Sequence, residues 1–323
     1  MIHYRKFELN RDLTRLEQYL RDRYFESRTE LSWLPERLND LVYRISAFEA
    51  DEEDPVSMEY FFLGEEEGEI RSCILPDGEN IYMSIKPGYE SHFPELLSFS
   101  EKNCLPLFDQ SDDGSVKLWF ALSNRLSAYQ EILKNKGYEK YAENEYENVI
   151  FPQETDFSAA APDGFRCCFG EDYADEENKW TALRLGFHPE WEETGYRAGL
   201  NPYRNRKKSS LYDDCFECLI LDPAAENGAN PVAAYSFVYV DRITKTALIE
   251  PVSTREKYRH KGLGTVMMQA AIRRCKEAGI EKCYVNSFGS RKDFYVAAGF
   301  RVEDSIGYWY KTFENSLTSF EQN

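Results

Sequence analysis

A glycine-rich loop between a short strand and a helix constrains the fold most strongly. Residues 259–264 read Arg-His-Lys-Gly-Leu-Gly, after a β-rich stretch at 247–254 and before a helical stretch at 263–278. Gly262 and Gly264 allow a tight turn and a close approach of the backbone to a ligand. The first N–H groups of the following helix have no partner within that helix, and Arg259 and Lys261 add positive charge. The pattern therefore predicts a phosphate-binding loop.

A second motif, Phe-Tyr-Val-Ala-Ala-Gly-Phe at residues 294–300, follows the loop and its helix. With both motifs in this order and spacing, residues 215–312 resemble the GNAT superfamily of acyl-CoA-dependent N-acetyltransferases. The resemblance implies that the loop holds the pyrophosphate of acetyl-CoA and that Tyr295 lies near the departing thiolate. It also implies that acetyl-CoA lies in an opening where two neighbouring parallel strands splay apart.

The resemblance implies a set of cofactor-binding residues. Strand backbone groups would bind the pantetheine and polarise the thioester carbonyl, as an oxyanion hole does. Many family members carry a cofactor-contacting asparagine where this chain has Phe288. Either a local shift lets Asn286, two positions earlier, serve instead, or another group replaces it. The expected acetyl-CoA site comprises Val252, Ser253, Thr254, Arg259, His260, Lys261, Gly262, Leu263, Gly264, Thr265 and Asn286.

Two residues are candidates for the proton transfers of acetyl transfer. Tyr295 is the expected general acid at the departing sulfur, although it could instead be a core aromatic beside Phe294 and Phe300. Glu250, two residues before Val252, is the expected general base. Its alternatives are a strand carboxylate that faces solvent or one that pairs with an arginine, and Asp241 is a weaker candidate for the base.

The order of predicted elements occurs twice along the chain. Strand, two helices, three strands, helix, strand, helix and strand follow one another in both halves, which indicates an internal duplication. The pair of helices is expected at 12–25 and, after Pro35, at 36–45 in the first half, and at 171–185 and around 190–200 in the second. We expect domains at residues 1–152 and 165–323, joined by a linker at 153–164. The resemblance implies an α/β (α+β) fold of two tandem GNAT-like domains, each a mixed, mostly antiparallel central sheet flanked by helices. The alternative is one such domain after an unrelated N-terminal half.

The first half lacks the residues that make the second half a candidate site. When Tyr89 is aligned with Tyr258, Phe93 and Glu95 replace the two glycines, and Leu133 stands where the second half has Tyr295. Side chains and a carboxylate there would oppose a bound pyrophosphate. We therefore predict that the first domain neither binds acetyl-CoA nor catalyses, and that it supports the substrate cleft.

Composition excludes several other classes of protein. A net charge of −18 argues against a nucleic-acid-binding surface. No apolar run approaches the roughly 20 residues that span a bilayer, and the first residues lack the apolar core of a signal peptide. We expect a cytoplasmic protein without a membrane partner, whose eight cysteines are thiols. No set of four ligands with zinc-site spacing is apparent, so we expect no metal.

The acceptor is expected to be a small primary amine that attacks acetyl-CoA directly in a ternary complex. An aromatic and acidic set near residues 180–203 could line its site: Trp180, Trp191, Tyr196, Tyr203, Glu190, Glu192 and Glu193. The alternative is that these aromatics are core and these glutamates a solvated face. Another nucleophile or acyl group, or an acyl-CoA-binding sensor without turnover, also fits the sequence. The identity of the amine and the oligomeric state stay open.

Overall fold

The computed structural model describes residues 1–28, 33–45, 58–226 and 229–314, with the side chain of Glu193 excepted. Within these ranges the helices are α1 (Leu9–Ser27), α2 (Pro35–Ile45), α3 (Phe93–Cys104), α4 (Ser127–Asn135), α5 (Glu176–Phe187), α6 (Asn201–Arg206), α7 (Leu263–Glu277) and α8 (Arg291–Ala297). The strands are β1 (His3–Lys6), β2 (Phe62–Glu66), β3 (Glu69–Asp77), β4 (Asn80–Ile85), β5 (Val116–Ser123), β6 (Glu139–Ile150), β7 (Arg166–Phe169), β8 (Cys218–Leu221), β9 (Val232–Asp241), β10 (Thr246–Thr254), β11 (Lys282–Phe288) and β12 (Arg301–Phe313).

The chain forms two compact units, and neither is a continuous stretch. The first unit comprises Met1–Glu30, Glu49–Glu147 and Asp304–Asn323, and the second comprises Leu31–Phe48 and Asn148–Glu303. These units depart from the contiguous ranges 1–152 and 165–323, because α2 belongs to the second unit and most of β12 to the first. The apolar periodicity of a helix shows that it buries a face, but not in which core.

The sheet of the first unit has the strand order β1-β2-β3-β4-β5-β12. Each neighbouring pair is antiparallel except β4 and β5, which are parallel. Helices α3 and α4 pack on this sheet through Phe93, Leu96 and Leu133, which share one apolar cluster with Trp309 of β12. Strand β12, which follows all the other strands in the described residues, thus completes the core of the unit that contains β1.

The sheet of the second unit repeats this plan with the order β7-β8-β9-β10-β11. Its pairs are antiparallel except β10 and β11, which are parallel. Successive strand side chains point to opposite faces. Ala234 and Val238 of β9 accordingly pack with α7 in one cluster, whereas Tyr239 of β9 lies on the other face, which contacts α2 and α5.

Two helix boundaries differ from the sequence expectation. The helix predicted at 171–185 begins at Glu176, after Asp175, whose carboxylate accepts the N–H of Asn178 at 2.9 Å. The helix predicted at 190–200 is replaced by a 3₁₀ turn at Pro189–Thr194 and by α6. Gly195, at φ +70°, ends the turn in a conformation that a helix does not continue.

Candidate active site

The parallel strands β10 and β11 pair only at their first residues. Thr246, Ala247 and Leu248 oppose Lys282, Cys283 and Tyr284, and no later pair occurs between these strands in the described residues. On the other side of β10, the register with β9 shifts between Ile249 and Val252, around Pro251, which has no N–H to donate. The two strands therefore separate toward their C-terminal ends and leave an opening.

The hydrogen-bonding direction of β10 decides which backbone groups face this opening. The N–H of Arg255 donates to the carbonyl of Ala233 at 3.0 Å, so Arg255 points toward β9. Because backbone groups alternate in direction along a strand, Ser253 also points toward β9, whereas Val252 and Thr254 point away from it. Two of the three strand residues expected at the acetyl-CoA site thus direct their backbone groups into the opening.

The side chain of Ser253 serves a close approach between helix and strand. Its Oγ is buried and has no hydrogen-bond partner in the part of the chain that the structure describes. Gly186 of α5 lies directly against it: a Cβ at Gly186 would be 2.4 Å from the Cβ of Ser253 and 2.6 Å from its Oγ. Only a glycine permits this contact. Sequence analysis missed Gly186, because its contact is with a strand far away in the sequence.

The glycine loop has the geometry of an anion site. Gly262 adopts a left-handed conformation at φ +75°, and α7 begins at Leu263. The first helical bond joins the N–H of Val266 to the carbonyl of Gly262 at 3.1 Å. The N–H groups of Leu263, Gly264 and Thr265 therefore have no carbonyl acceptor one turn earlier in α7. Three backbone donors converge at the positive end of a helix dipole.

The charged residues of the loop take different positions. Arg259 donates to the carbonyl of Thr254 at 3.1 Å and to that of Gly186 at 2.7 Å, so its guanidinium holds the base of the loop to α5. It therefore does not present a free fork to a phosphate. His260 and Lys261 are exposed at the start of the turn, where His260 has φ +60°.

Gly264 lies buried where α7 meets α8. A Cβ at this position would be 3.0 Å from the Cζ of Phe294 and 3.4 Å from the Oγ1 of Thr254. The absence of a side chain at Gly264 lets the Phe294 ring pack against the first turn of α7, and an added side chain would have to displace this ring.

Tyr295 of α8 packs beside Phe294 and Phe300, with ring centroids 5.1 and 5.7 Å away. Burial raises the pKa of Tyr295 well above its ordinary value, and the nearby charge of Glu250 adds to the effect. The phenol therefore stays protonated at neutral pH and can act as a hydrogen-bond donor. Both readings of this residue apply at once: it is packed among aromatics, and it lies near the candidate base.

Glu250 is paired with an arginine. Its Oε2 accepts from Nη1 of Arg37 at 2.5 Å, and its Oε1 accepts from Nη2 of Arg37 at 3.0 Å. Oε1 also accepts the backbone N–H of Asn286 at 2.7 Å, which places the carboxylate between β10 and β11 at the start of the opening. The Oδ1 of Asn286 is buried without a hydrogen-bond partner among the described residues. Asp241 instead accepts the N–H of Ile243 at 2.8 Å in the turn after β9.

Three of the seven residues of the predicted aromatic and acidic lining are core or paired with cationic side chains. Trp180 and Tyr203 are buried, and Tyr203 donates to the buried carboxylate of Glu217 at 2.9 Å. Glu192 forms ion pairs with Arg255 and with Lys257.

Three members of that set remain at the surface. Trp191 is half-buried, stacks on His188 with ring centroids 3.9 Å apart and lies 4.7 Å from the ring of Tyr196. Glu190 lies 3.4 Å from His188, and the side chain of Glu193 lies outside the described residues. Of the acidic residues expected to line a site for a cationic amine, Glu192 is therefore neutralised by its ion pairs with Arg255 and Lys257.

The corresponding region of the first unit is built differently. Phe93, in place of the first glycine, is buried and stacks on Tyr129 with centroids 4.2 Å apart. Pro94 lies in the first turn of α3, and the carboxylate of Glu95 lies 3.2 Å from His92. Leu133 is buried in the same core. A non-catalytic first domain stays a prediction, and these contacts support it.

Comparison with known proteins shows which proteins the chain is similar to. Residues 173–300 match the acetyltransferase (GNAT) family model. A tandem GNAT protein from the clavulanic acid biosynthesis pathway superposes with a TM-score of 0.60, over 97% of this chain and 98% of that one, at 13% identity. The chain has a tandem GNAT fold. The predicted fold class and family resemblance are thereby confirmed.

Two further GNAT structures extend over nearly the whole chain. A GCN5-related N-acetyltransferase from Sphaerobacter thermophilus gives a TM-score of 0.64 at 13% identity, covering 96% of this chain and 95% of that one. A GNAT acetyltransferase from Colwellia psychrerythraea gives 0.53 at 12% identity, with 95% and 99% covered. No curated protein sequence matches the chain.

Two absences in the described residues concern membranes and metals. Over these ranges, no helix has both the length and the apolar character needed to cross a bilayer. Within the same ranges, no three His, Cys, Asp or Glu side chains come together in a group that could hold a metal ion.

Proposed function

We propose that the second unit of this tandem GNAT protein binds acetyl-CoA and transfers its acetyl group to a small primary amine. The observation that carries the proposal is the early end of the β10–β11 pairing. Beyond Leu248 and Tyr284, the backbone groups of Val252 and Thr254 face an opening whose far end meets the first turn of α7.

The residues present fit acetyl-CoA. The N–H groups of Leu263, Gly264 and Thr265 would receive the pyrophosphate, with positive charge from Lys261 nearby. The backbone groups of Val252 and Thr254 would hold the pantetheine arm and polarise the thioester carbonyl. Arg259 contributes by fixing the loop to α5 through backbone carbonyls. The buried Oδ1 of Asn286 supplies a further acceptor that lacks a partner in the described residues.

The chemistry requires two proton transfers. The amine nitrogen attacks the thioester carbon, a C–N bond forms, and the C–S bond breaks. The proton released from nitrogen goes to the carboxylate of Glu250, and the hydroxyl proton of Tyr295 goes to the departing sulfur. Exchange with solvent then restores both groups. The raised pKa of Tyr295 keeps its hydroxyl protonated until negative charge develops on the departing sulfur.

Calorimetric titration with acetyl-CoA tests the cofactor site. We expect one equivalent to bind and a Gly264→Asp variant to lose it, because the added carboxylate would meet both Phe294 and the pyrophosphate. Gly199→Asp is the matched control, since a Cβ at Gly199 has no neighbour within 4 Å. Two bound equivalents would overturn the prediction of a non-binding first domain, and no binding would overturn the site itself.

Thiol release from acetyl-CoA with a panel of amines tests the reaction. We expect Tyr295→Phe to lower kcat by about 10²- to 10⁴-fold, the usual contribution of a general acid, while acetyl-CoA still binds. Tight binding without turnover on any amine would instead favour an acyl-CoA sensor. Turnover of other acyl-CoAs or nucleophiles in the same assay would redefine the donor or acceptor.

A further inference from the structure

The geometry points to Arg37 as a positioning residue for Glu250, supplied to the acetyl-transfer site by a helix far from that site in sequence. This inference rests on the proposed function. Arg37 lies on α2, outside the residues 173–300 that match the family model, and it is 213 positions from Glu250. A helix that lies between β1 and β2 in the sequence thus contributes to the chemistry of the second unit.

The contact is a two-pronged ion pair. Nη1 and Nη2 of Arg37 reach different oxygens of Glu250, at 2.5 and 3.0 Å, which is the fork geometry that fixes the plane of a carboxylate. The side chains are 12% and 19% exposed, so solvent and salt screen the pair less than a surface pair. A lysine cannot reproduce this geometry, because its ammonium is a point charge.

Helix α2 is itself held to the second unit on both sides of Arg37. Thr246 of β10 donates to the carboxylate of Glu36. Arg206 donates to Asp40 at 3.0 Å, and Ser209 donates to Asn39 at 2.6 Å. The guanidinium therefore projects from a fixed backbone, and the orientation of Glu250 is set before any substrate binds.

Three hydrogen bonds leave the carboxylate of Glu250 about one acceptor position for a proton. A carboxylate has about four acceptor positions, and Arg37 and the N–H of Asn286 occupy three of them. We infer that the remaining position is the one that accepts the proton of the amine. Without Arg37 the carboxylate would keep only its bond to Asn286 among these three and could rotate away from the attacking nitrogen.

The test uses the full-length protein with Arg37→Met and Arg37→Lys, and it has two readouts. The first is the chemical shift and hydrogen-exchange protection of the Asn286 amide, which reports the position of Glu250 without any need for turnover. The second is kcat for the best amine. We expect Arg37→Met to lower the hydrogen-exchange protection of the Asn286 amide and to lower kcat by roughly 10²-fold. In Arg37→Lys, the protection of this amide should lie between those of Arg37→Met and the wild type.

Arg44→Met is the matched control, since Arg44 lies on the same helix and pairs with Asp40. It should leave the Asn286 amide and kcat unchanged. A double-mutant cycle with Glu250→Gln separates positioning from a general structural effect, because Arg37→Met should then lower kcat no further.

The outcomes distinguish this inference from the proposed function. An Asn286 amide that ignores Arg37→Met, or a kcat loss that adds fully to that of Glu250→Gln, overturns the role of Arg37. If the wild type turns over no amine, but Arg37→Met still changes the Asn286 amide, the proposed function is overturned, and with it the catalytic part of this inference. An unchanged kcat with a displaced amide reduces Arg37 to a structural ion pair.

Discussion

Replacing Gly186 by alanine should force α5 away from the strand proposed to hold acetyl-CoA. The new Cβ would lie 2.4 Å from the Cβ of Ser253, about 1 Å closer than ordinary van der Waals contact. Because a Cβ has no rotamer with which to escape, the helix or the strand must move. Overpacking of this kind costs about 1–3 kcal/mol, and we take the upper value, about 3 kcal/mol.

Alanine also returns about 1 kcal/mol of helix propensity, so the net loss of unfolding free energy should be about 2 kcal/mol. A change of about 2 kcal/mol lowers Tm by about 4–8 °C in a folded unit of about 150–250 residues, the size range of the second unit. Acetyl-CoA affinity should fall as well, because Arg259 binds both Gly186 and Thr254 and would lose one of these anchors. Scanning calorimetry and titration with acetyl-CoA measure the two effects.

Compensating substitutions at Ser253 make the argument sharp. Ser253→Gly removes both clashing atoms and should recover most of the loss in the double variant, whereas Ser253→Ala keeps the Cβ and should not. Gly199→Ala, which has open space around it, should change Tm little. If Gly186→Ala is as stable as the wild type, or if Ser253→Ala rescues it as well as Ser253→Gly, the steric reasoning is wrong.

Two further substitutions test buried charge. Glu217→Ala should lower the free energy of unfolding by about 3–5 kcal/mol, because the ammonium of Lys179, whose side chain is 3% exposed, would stay buried without its carboxylate partner. Urea unfolding of this variant and of Glu217→Gln measures the loss. Burial opposes the ionisation of Asp12, but hydrogen bonds from Arg5 and Arg11 outweigh it and hold its pKa well below the usual range. The folded state therefore binds this proton less tightly than the unfolded chain, so the stabilisation is full above the unfolded pKa of about 4 and declines as the pH falls below it. Asp12→Asn should lower Tm clearly at pH 7, and a difference that stays constant down to about pH 3 would contradict this assignment.

The loop and the family resemblance were predictable from sequence because their signals are local. The turn at Gly262, the start of α7 and the position of Tyr295 each depend on residues within one or two turns of chain. The order of strands and helices was predictable for the same reason, since periodicity and turn residues act over short distances.

What the sequence could not provide depends on long-range packing. Pro35 and the apolar positions of α2 predicted a helix, but nothing in them indicated that Arg37 would reach Glu250. Gly186 had no recognisable signal in the sequence, because its role is set by the neighbouring strand. Trp180 and Tyr203 were ambiguous between core and binding site, and only their burial decides that they are core.

The exchange of segments between the units also sets the order in which the protein can fold on the ribosome. Helix α2 ends at Ile45, but β10, the strand that Arg37 and Glu36 contact, begins at Thr246. At about 5–20 residues per second, the intervening stretch of about 200 residues takes roughly 10–40 s to synthesise. The first unit waits longer still, because β12, which pairs along β5, is synthesised after β10 and β11. Neither core can close until β10 and β12 have been synthesised, so the two units should complete folding close together in time and not one long before the other.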